Sequence, residues 1–134
     1  MRRRLTILLT VVIVLCVQSC TKDVGPKQAV RQAMEAALND LQRGDCDAYF
    51  RRLDFDGDLD SLKSALLLQT IVLQQSELLR TGRMSTASRV VDVKMETDSM
   101  AVVYYRLYYS NGDSTENAQK MVCSGGQWKL RMRN

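Results

Sequence analysis

The residues best suited to chemistry fall into three groups: an acidic run, a set of tyrosines and four cysteines. Asp54-Phe55-Asp56-Gly57-Asp58-Leu59-Asp60 sets four carboxylates at alternating positions, the ligand type that hard cations such as calcium take. The spacing does not make an EF-hand. Counted from Asp54, Gly57 stands fourth where the sixth position needs glycine, and Ala65 stands twelfth where a bidentate Glu belongs; counted from Asp56, Leu67 stands there. The run therefore reads as a solvated loop whose last acids, Asp58 or Asp60, lie at a helix N-terminus, where negative charge is favourable. No metal site is expected. Tyr49 and Tyr105 are the phenols that could serve a proton-shuffling isomerisation, but that chemistry also needs a buried carboxylate base of raised pKa. Asp92, Glu96 and Glu116 occupy strand positions that look outward, and Asp98 and Asp113 fall in turns. No residue is assigned as catalytic, no cofactor is expected, and the chain reads as no enzyme. It also has no histidine, which excludes Ser-His and Cys-His nucleophiles and every His-ligated metal site.

Two of the four cysteines belong to an export signal. Arg2, Arg3 and Arg4 precede an uncharged run from Leu5 to Val17, interrupted only by Thr6, Thr10 and Cys16. A spanning helix needs about 20 apolar residues, so this shorter run with polar sequence after it predicts a secretory signal rather than an anchor helix. Val17-Gln18-Ser19-Cys20 resembles the lipobox of bacterial lipoproteins. That resemblance implies a diacylglyceryl group on the Cys20 thiol and cleavage between Ser19 and Cys20; the alternative is an uncleaved interfacial helix. The expected organisation is a signal peptide over 1–19, a lipid-anchored tether over 20–25 and one domain over 26–134. Because Thr21 rather than Asp follows the cysteine, the resemblance implies an outer-membrane anchor facing the periplasm, with Asp23 a lone acid for surface display.

Removing residues 1–19, which carry three arginines and no acid, lowers the formal net charge from +4 to +1. The basic sequence pI of about 9.0 is thus mostly the signal, and no nucleic-acid partner is expected. Lys129, Arg131 and Arg133 alternate as the solvent face of a strand does. Cys46 and Cys123 remain in the exported chain. Either they form one disulfide, closing a loop worth roughly 4 kcal/mol if unstrained, or they are two buried thiols.

The elements that must position these groups follow from period and punctuation. Val30, Met34, Ala37, Leu38 and Leu41 recur at three-and-four spacing from Pro26 to Gly44, which predicts an amphipathic helix. Gly44 ends it, Asp45 can cap a short second helix carrying Cys46, Tyr49, Phe50 and Leu53, and residues 59–80 form a third, Leu-rich helix ending at Gly82. From Ser88 the period becomes two. Val90, Val91 and Val93, then Met100 to Tyr109, then Ser114 to Cys123, then Trp128, Leu130 and Met132 predict four strands, with turns at Thr97-Asp98-Ser99, Asn111-Gly112 and Ser124-Gly125-Gly126. Helices first and strands after give an α+β fold, three helices laid across one side of a curved four-stranded antiparallel meander. The 46% hydrophobic and 25% charged fractions are those of a folded domain.

The order of helix, Gly44-Asp45 and Tyr49, long helix, then strands closing on Gly126-Gln127-Trp128-Lys129 resembles the nuclear-transport-factor-2-like fold. More narrowly it is similar to small bacterial lipoproteins whose cystatin-like, lumazine-binding-like domain has no assigned function. The resemblance covers about Pro26 to Arg133 and implies a cone between helices and sheet. In that cone Tyr49, Tyr105 and Trp128 are the candidate pocket residues, and some enzymes of the fold pair a Tyr with an Asp there. On the opposite sheet face Tyr104 and Tyr108 are the candidate partner surface. The expectation is a non-catalytic envelope lipoprotein that binds an envelope protein; the alternative is a small apolar ligand in the cone, with an isomerase-like enzyme a remote third.

Overall fold

The first described element is a helix that opens on a proline. In the computed structural model, which describes residues 25–55 and 59–132, α1 spans Pro26–Gln42 with Pro at its start, where the missing N–H would find no helical partner anyway. Its apolar stripe buries Ala29, Val30, Met34, Ala37 and Leu38. Gly44 takes a φ of +74°, open to glycine, and the chain turns back with Asp45 donating its N–H to the Asp40 carbonyl at 2.9 Å. The Asp45 carboxylate then accepts from the Ala48 N–H at 3.1 Å and caps α2, Cys46–Arg51. Likewise Asp60 accepts from the Lys63 N–H at 2.8 Å and caps α3, Ser61–Arg80.

The sheet has five strands, which corrects the expected four. Leu53–Phe55 forms β1, and β2 (Ala87–Thr97), β3 (Met100–Tyr108), β4 (Ser114–Ser124) and β5 (Gln127–Met132) follow, in the spatial order β1-β5-β4-β3-β2. Three residues are too few to show an alternation, and β1 pairs in parallel with the last strand, Leu53 opposite Leu130, a partner that local sequence cannot reveal. Leu53, expected on the second helix, is thereby buried at the sheet edge. The other four strands form the expected meander, and all three of its pairings are antiparallel. Register shifts between Val90 and Asp92 and between Met95 and Thr97 interrupt the β2–β3 ladder, as bulges do.

The core lies between α1 and the concave side of the sheet. Val90 and Val93 of β2, Ala101 and Val103 of β3, Met121 of β4 and Trp128 and Leu130 of β5 meet Val30, Met34 and Ala37 of α1. Arg31 reinforces the contact by donating from Nη1 to the Val90 carbonyl at 3.0 Å. The third helix departs from expectation, since none of its residues is buried. Its apolar residues run around the whole circumference instead of forming one stripe, so Leu67, Leu68, Ile71 and Leu78 are only half-buried and its other large apolar residues face solvent. Among the described residues no helix is long and apolar enough to cross a membrane. The signal segment, Cys20, most of the tether, Asp56, Gly57, Asp58 and Arg133 lie outside the described residues.

Candidate functional site

A cleft of about 160 Å³ opens between the C-terminal halves of α1 and α3 and the end of β3. Leu38 and Leu41 come from α1, Leu78 from α3, and Tyr105, Leu107 and Tyr109 from β3 and its extension. Their convergence follows from the pleat: residues 105, 107 and 109 share the concave face with Val103, and they continue it beyond the point where α1 covers the sheet. Burial, and secondarily the Tyr109 phenol, raises the Tyr105 pKa. Burial, and secondarily the Tyr105 phenol, pushes Tyr49 up to about 12. Both phenols therefore stay protonated at neutral pH.

The structure brings together part of the expected pocket trio. Tyr105 lines the cleft. Tyr49 is half-buried on α2, packed against the core and electrostatically coupled to Tyr105. Trp128 does not join them: it is a core residue on β5, opposite Cys123 of β4. Among the described residues lining the cleft there is no carboxylate to partner the phenols. Asp92, Glu96 and Glu116 are exposed, as their strand positions predict, and Glu116 is ion-paired with Arg106 across the β3–β4 ladder. Cys46, at the start of α2, and Cys123, on β4, are half-buried and are not joined to each other.

The acidic run is split between two structural tasks. Asp54 pairs with Arg131 at 2.9 Å across the β1–β5 ladder, and Asp60 caps α3. No group of three or more potential ligands that could hold a metal occurs among the described residues.

Sequence reasoning missed one carboxylate. Asp40 is only 1% exposed. One of its oxygens accepts from Arg43 Nη2 at 2.6 Å and the other from Arg52 Nε at 2.5 Å. Burial pushes its pKa up, but hydrogen bonds and charge from Arg52 and Arg43 outweigh burial and hold it below the usual carboxylate value. This carboxyl is a fixed anion rather than a proton shuttle. The signal for it was present: Asp40 stands three residues after Ala37, on the buried stripe of α1, with Arg43 one turn on. The cluster floors a separate shallow depression of about 370 Å³ with Asn39 and Gln42 on its rim.

Two exposed apolar surfaces remain. On the convex face of the sheet, Tyr104 is 42% exposed and Val91 49% exposed, and they are neighbours because Asp92 pairs with Tyr104. Tyr108, expected beside Tyr104 as a partner residue, is half-buried. On α3, Leu62 and Leu79 are each 70% exposed, Leu73 is 61% and Leu66 is 54% exposed.

With the geometry in hand, solved structures give the fold its name. The chain superposes on an NTF2-like protein from Campylobacter jejuni, provisionally named a transpeptidase, with a TM-score of 0.61 at 10% identity over 75% of this chain and 96% of that one. It also matches a ketosteroid isomerase-like protein from Erwinia carotovora atroseptica with a TM-score of 0.52 at 18% identity, covering 84% of this chain and 95% of that one. No protein-family model matches the sequence, and no curated protein does. The domain has the nuclear-transport-factor-2-like fold, helices on a curved sheet. At these identities the likeness concerns architecture, and one fold hosts many unrelated activities.

Proposed function

We propose that the chain is an exported lipoprotein, anchored through Cys20 to the outer membrane and facing the periplasm, whose domain binds another envelope protein without catalysis. The observation that carries the binding reading is the adjacent exposure of Tyr104 and Val91 on the convex sheet face. A tyrosine there gives a large contact area at low entropic cost, with a hydroxyl that tolerates water before docking. An isomerase would need a base beside Tyr105, and among the described residues lining the cleft none is a carboxylate. Asp40 cannot serve, being doubly ion-paired at the floor of a different depression.

The two halves of the proposal are tested separately. Replacing Cys20 by Ala should abolish labelling by radioactive palmitate, and continued labelling would remove the anchor. A photo-crosslinking residue at position 104, in intact cells, should give a discrete heavier adduct that the same residue at Asp98 does not give. An adduct pattern identical at both positions would remove the docking face.

A second reading is favoured by the cleft itself. Its volume of about 160 Å³ is below the roughly 300–1,000 Å³ of drug-sized ligand sites but close to the ~150 Å³ of an apolar cavity that takes benzene. The class of ligand it fits is a small aromatic or short apolar molecule donated a hydrogen bond by Tyr105. Filling the cleft by Leu38→Trp should block such a ligand in a thermal-shift screen, leaving crosslinking at position 104 intact.

A further inference from the structure

We infer that the cleft between α1, α3 and the end of β3 binds a small monocarboxylate with an aromatic or short apolar body, its carboxylate paired with Arg83. The inference rests on the ligand-binding reading of that cleft and names the class of ligand. Arg83 is the only charged side chain among the described residues lining it. Its guanidinium has no ion pair or hydrogen bond with any described residue, whereas Arg43 and Arg52 are both engaged by Asp40 elsewhere.

What selects an anion is the donor inventory. Gln42, Gln75, Ser85 and Tyr105 line the cleft with Arg83, and none of their side chains is hydrogen-bonded to another described residue. The Gln42 amide nitrogen is buried without a partner, a condition that native proteins rarely leave unanswered. Only the Tyr109 hydroxyl is engaged, with Thr115 Oγ1 at 3.3 Å. A guanidinium offers five N–H groups and accepts nothing, the amides offer two each, and the Tyr105 phenol stays protonated because burial raises its pKa. With donors in excess and no carboxylate among them, the complement is an acceptor that carries negative charge. A carboxylate matches the planar guanidinium fork and neutralises its single charge. The floor is apolar, formed by Leu38, Leu41, Leu78 and Leu107, so the ligand has one charged end and one apolar end. Arg83 is set in place by the way α3 ends. Gly82 takes a φ of +68°, its N–H reaches the Leu79 carbonyl at 3.3 Å, and the Arg83 N–H reaches the Leu78 carbonyl at 2.9 Å, the double closure of a Schellman turn. The C-terminal ends of α1 and α3 carry partial negative charge, which by itself disfavours an anion, so the sign of the cleft depends on Arg83. Because Arg83 is exposed at the rim, where water competes, the pairing governs which ligand is chosen more than how tightly it binds.

The test titrates the full chain, purified in detergent, with benzoate and with benzamide, its uncharged counterpart of the same size, and follows backbone-amide NMR shifts. Benzoate should move the amides of Arg83, Tyr105 and Leu107 and bind roughly tenfold more tightly than benzamide at low salt, the weight of one charge-assisted pair. That preference should largely vanish at about 1 M salt, where charges are screened within ~3 Å. Arg83→Gln should erase the difference between the two probes, and Arg83→Lys should restore part of it. Ser85→Trp, which fills the mouth from the loop before β2, should block both. Equal binding of the two probes, blocked by Ser85→Trp, would make the cleft a site for neutral apolar molecules and overturn the inference alone. Benzoate binding that survives Arg83→Gln undiminished, or shifts confined to the depression of Asp40, Arg43 and Arg52, would also overturn it. Binding of neither probe would overturn both the inference and the reading on which it rests.

Discussion

Replacing Asp40 by Asn keeps the size of the side chain and removes the charge that two guanidiniums share. In the native chain each carboxylate oxygen serves a different arginine, and the carboxylate is almost wholly withdrawn from water. Charge-assisted hydrogen bonds contribute about 1.5–3 kcal/mol each when desolvated, but exposed ion pairs contribute only about 0–1 kcal/mol. Arg43 is 66% exposed, so its share falls in the lower class; Arg52, 39% exposed, retains part of the upper one. The loss expected for Asp40→Asn is therefore about 2–3 kcal/mol, with Arg52→Ala costing roughly 2 kcal/mol and Arg43→Ala under about 1 kcal/mol. At roughly 4–8 °C per kcal/mol for a domain near 100 residues, the Asn variant should melt about 10 °C or more lower. The pH dependence has a fixed sign. Asp40 is held below its unfolded value, so its stabilisation is fully present above about pH 4 and is lost as pH falls through the lower folded value. Urea titrations between pH 3 and 7 should show wild type losing its advantage over Asp40→Asn in that acid range. A difference under about 0.5 kcal/mol at pH 7, or one that grows as pH falls, would refute the account. A local consequence is also expected. The Arg52 carbonyl accepts the Leu130 N–H at 2.8 Å, so loosening Arg52 should speed amide exchange first in the β1–β5 ladder.

Met34→Ala, at a fully buried position of α1, should cost about 2–5 kcal/mol, whereas Leu62→Ala on the solvent side of α3 should stay within about 0.5 kcal/mol for the monomer; urea midpoints compare them. Asp45→Ala removes the α2 cap and should cost about 1 kcal/mol, recovered largely by Asp45→Ser in the same assay. Tyrosinate absorbance followed up to pH 12 should show one phenol ionising last, near 12, and Tyr49→Phe should delete that step; its deletion by Tyr108→Phe instead would contradict the burial of Tyr49. In native-state hydrogen exchange α3, none of whose side chains is fully buried, should open ahead of α1.

Most of the framework was legible because it is written in local signals. The period-two run of Met100 to Tyr108, the Asn111-Gly112 turn and the glycines after α1 and α3 each dictate their own geometry without reference to distant residues. The turn shows this directly, with Gly112 at a φ of +91° and the Asn111 side chain accepting from the Asp113 N–H at 3.0 Å. What stayed hidden depends on partners far apart in sequence. β1 exists only because β5 lies beside it, and Trp128 was placed in a pocket because alternation shows which face a residue takes, not how deeply a helix covers it. Tyr105 lies on the same inner face beyond the end of that cover, where it lines the cleft. Asp40 was overlooked because its neighbours on the stripe are apolar, and the cation that makes its burial tolerable, Arg52, belongs to the next helix's end.

The uneven use of the helices explains where the molecule can bind. α1 alone supplies every fully buried helical side chain, and with the sheet it forms a self-sufficient core. α3 carries nine large apolar residues, Leu62, Leu66, Leu67, Leu68, Ile71, Val72, Leu73, Leu78 and Leu79, yet buries none of them completely. A helix needs only one apolar stripe to dock on its own domain, and a second stripe opposite the first adds nothing to the monomer. Exposed leucines at this density also promote aggregation, a cost that solubility alone would remove by polar substitution. The packing of the domain thus accounts for the inner side of α3 and not for its exposed leucines. The sheet offers a separate surface: Tyr104 and Val91, turned away from the core, stay exposed to the partner proposed for them.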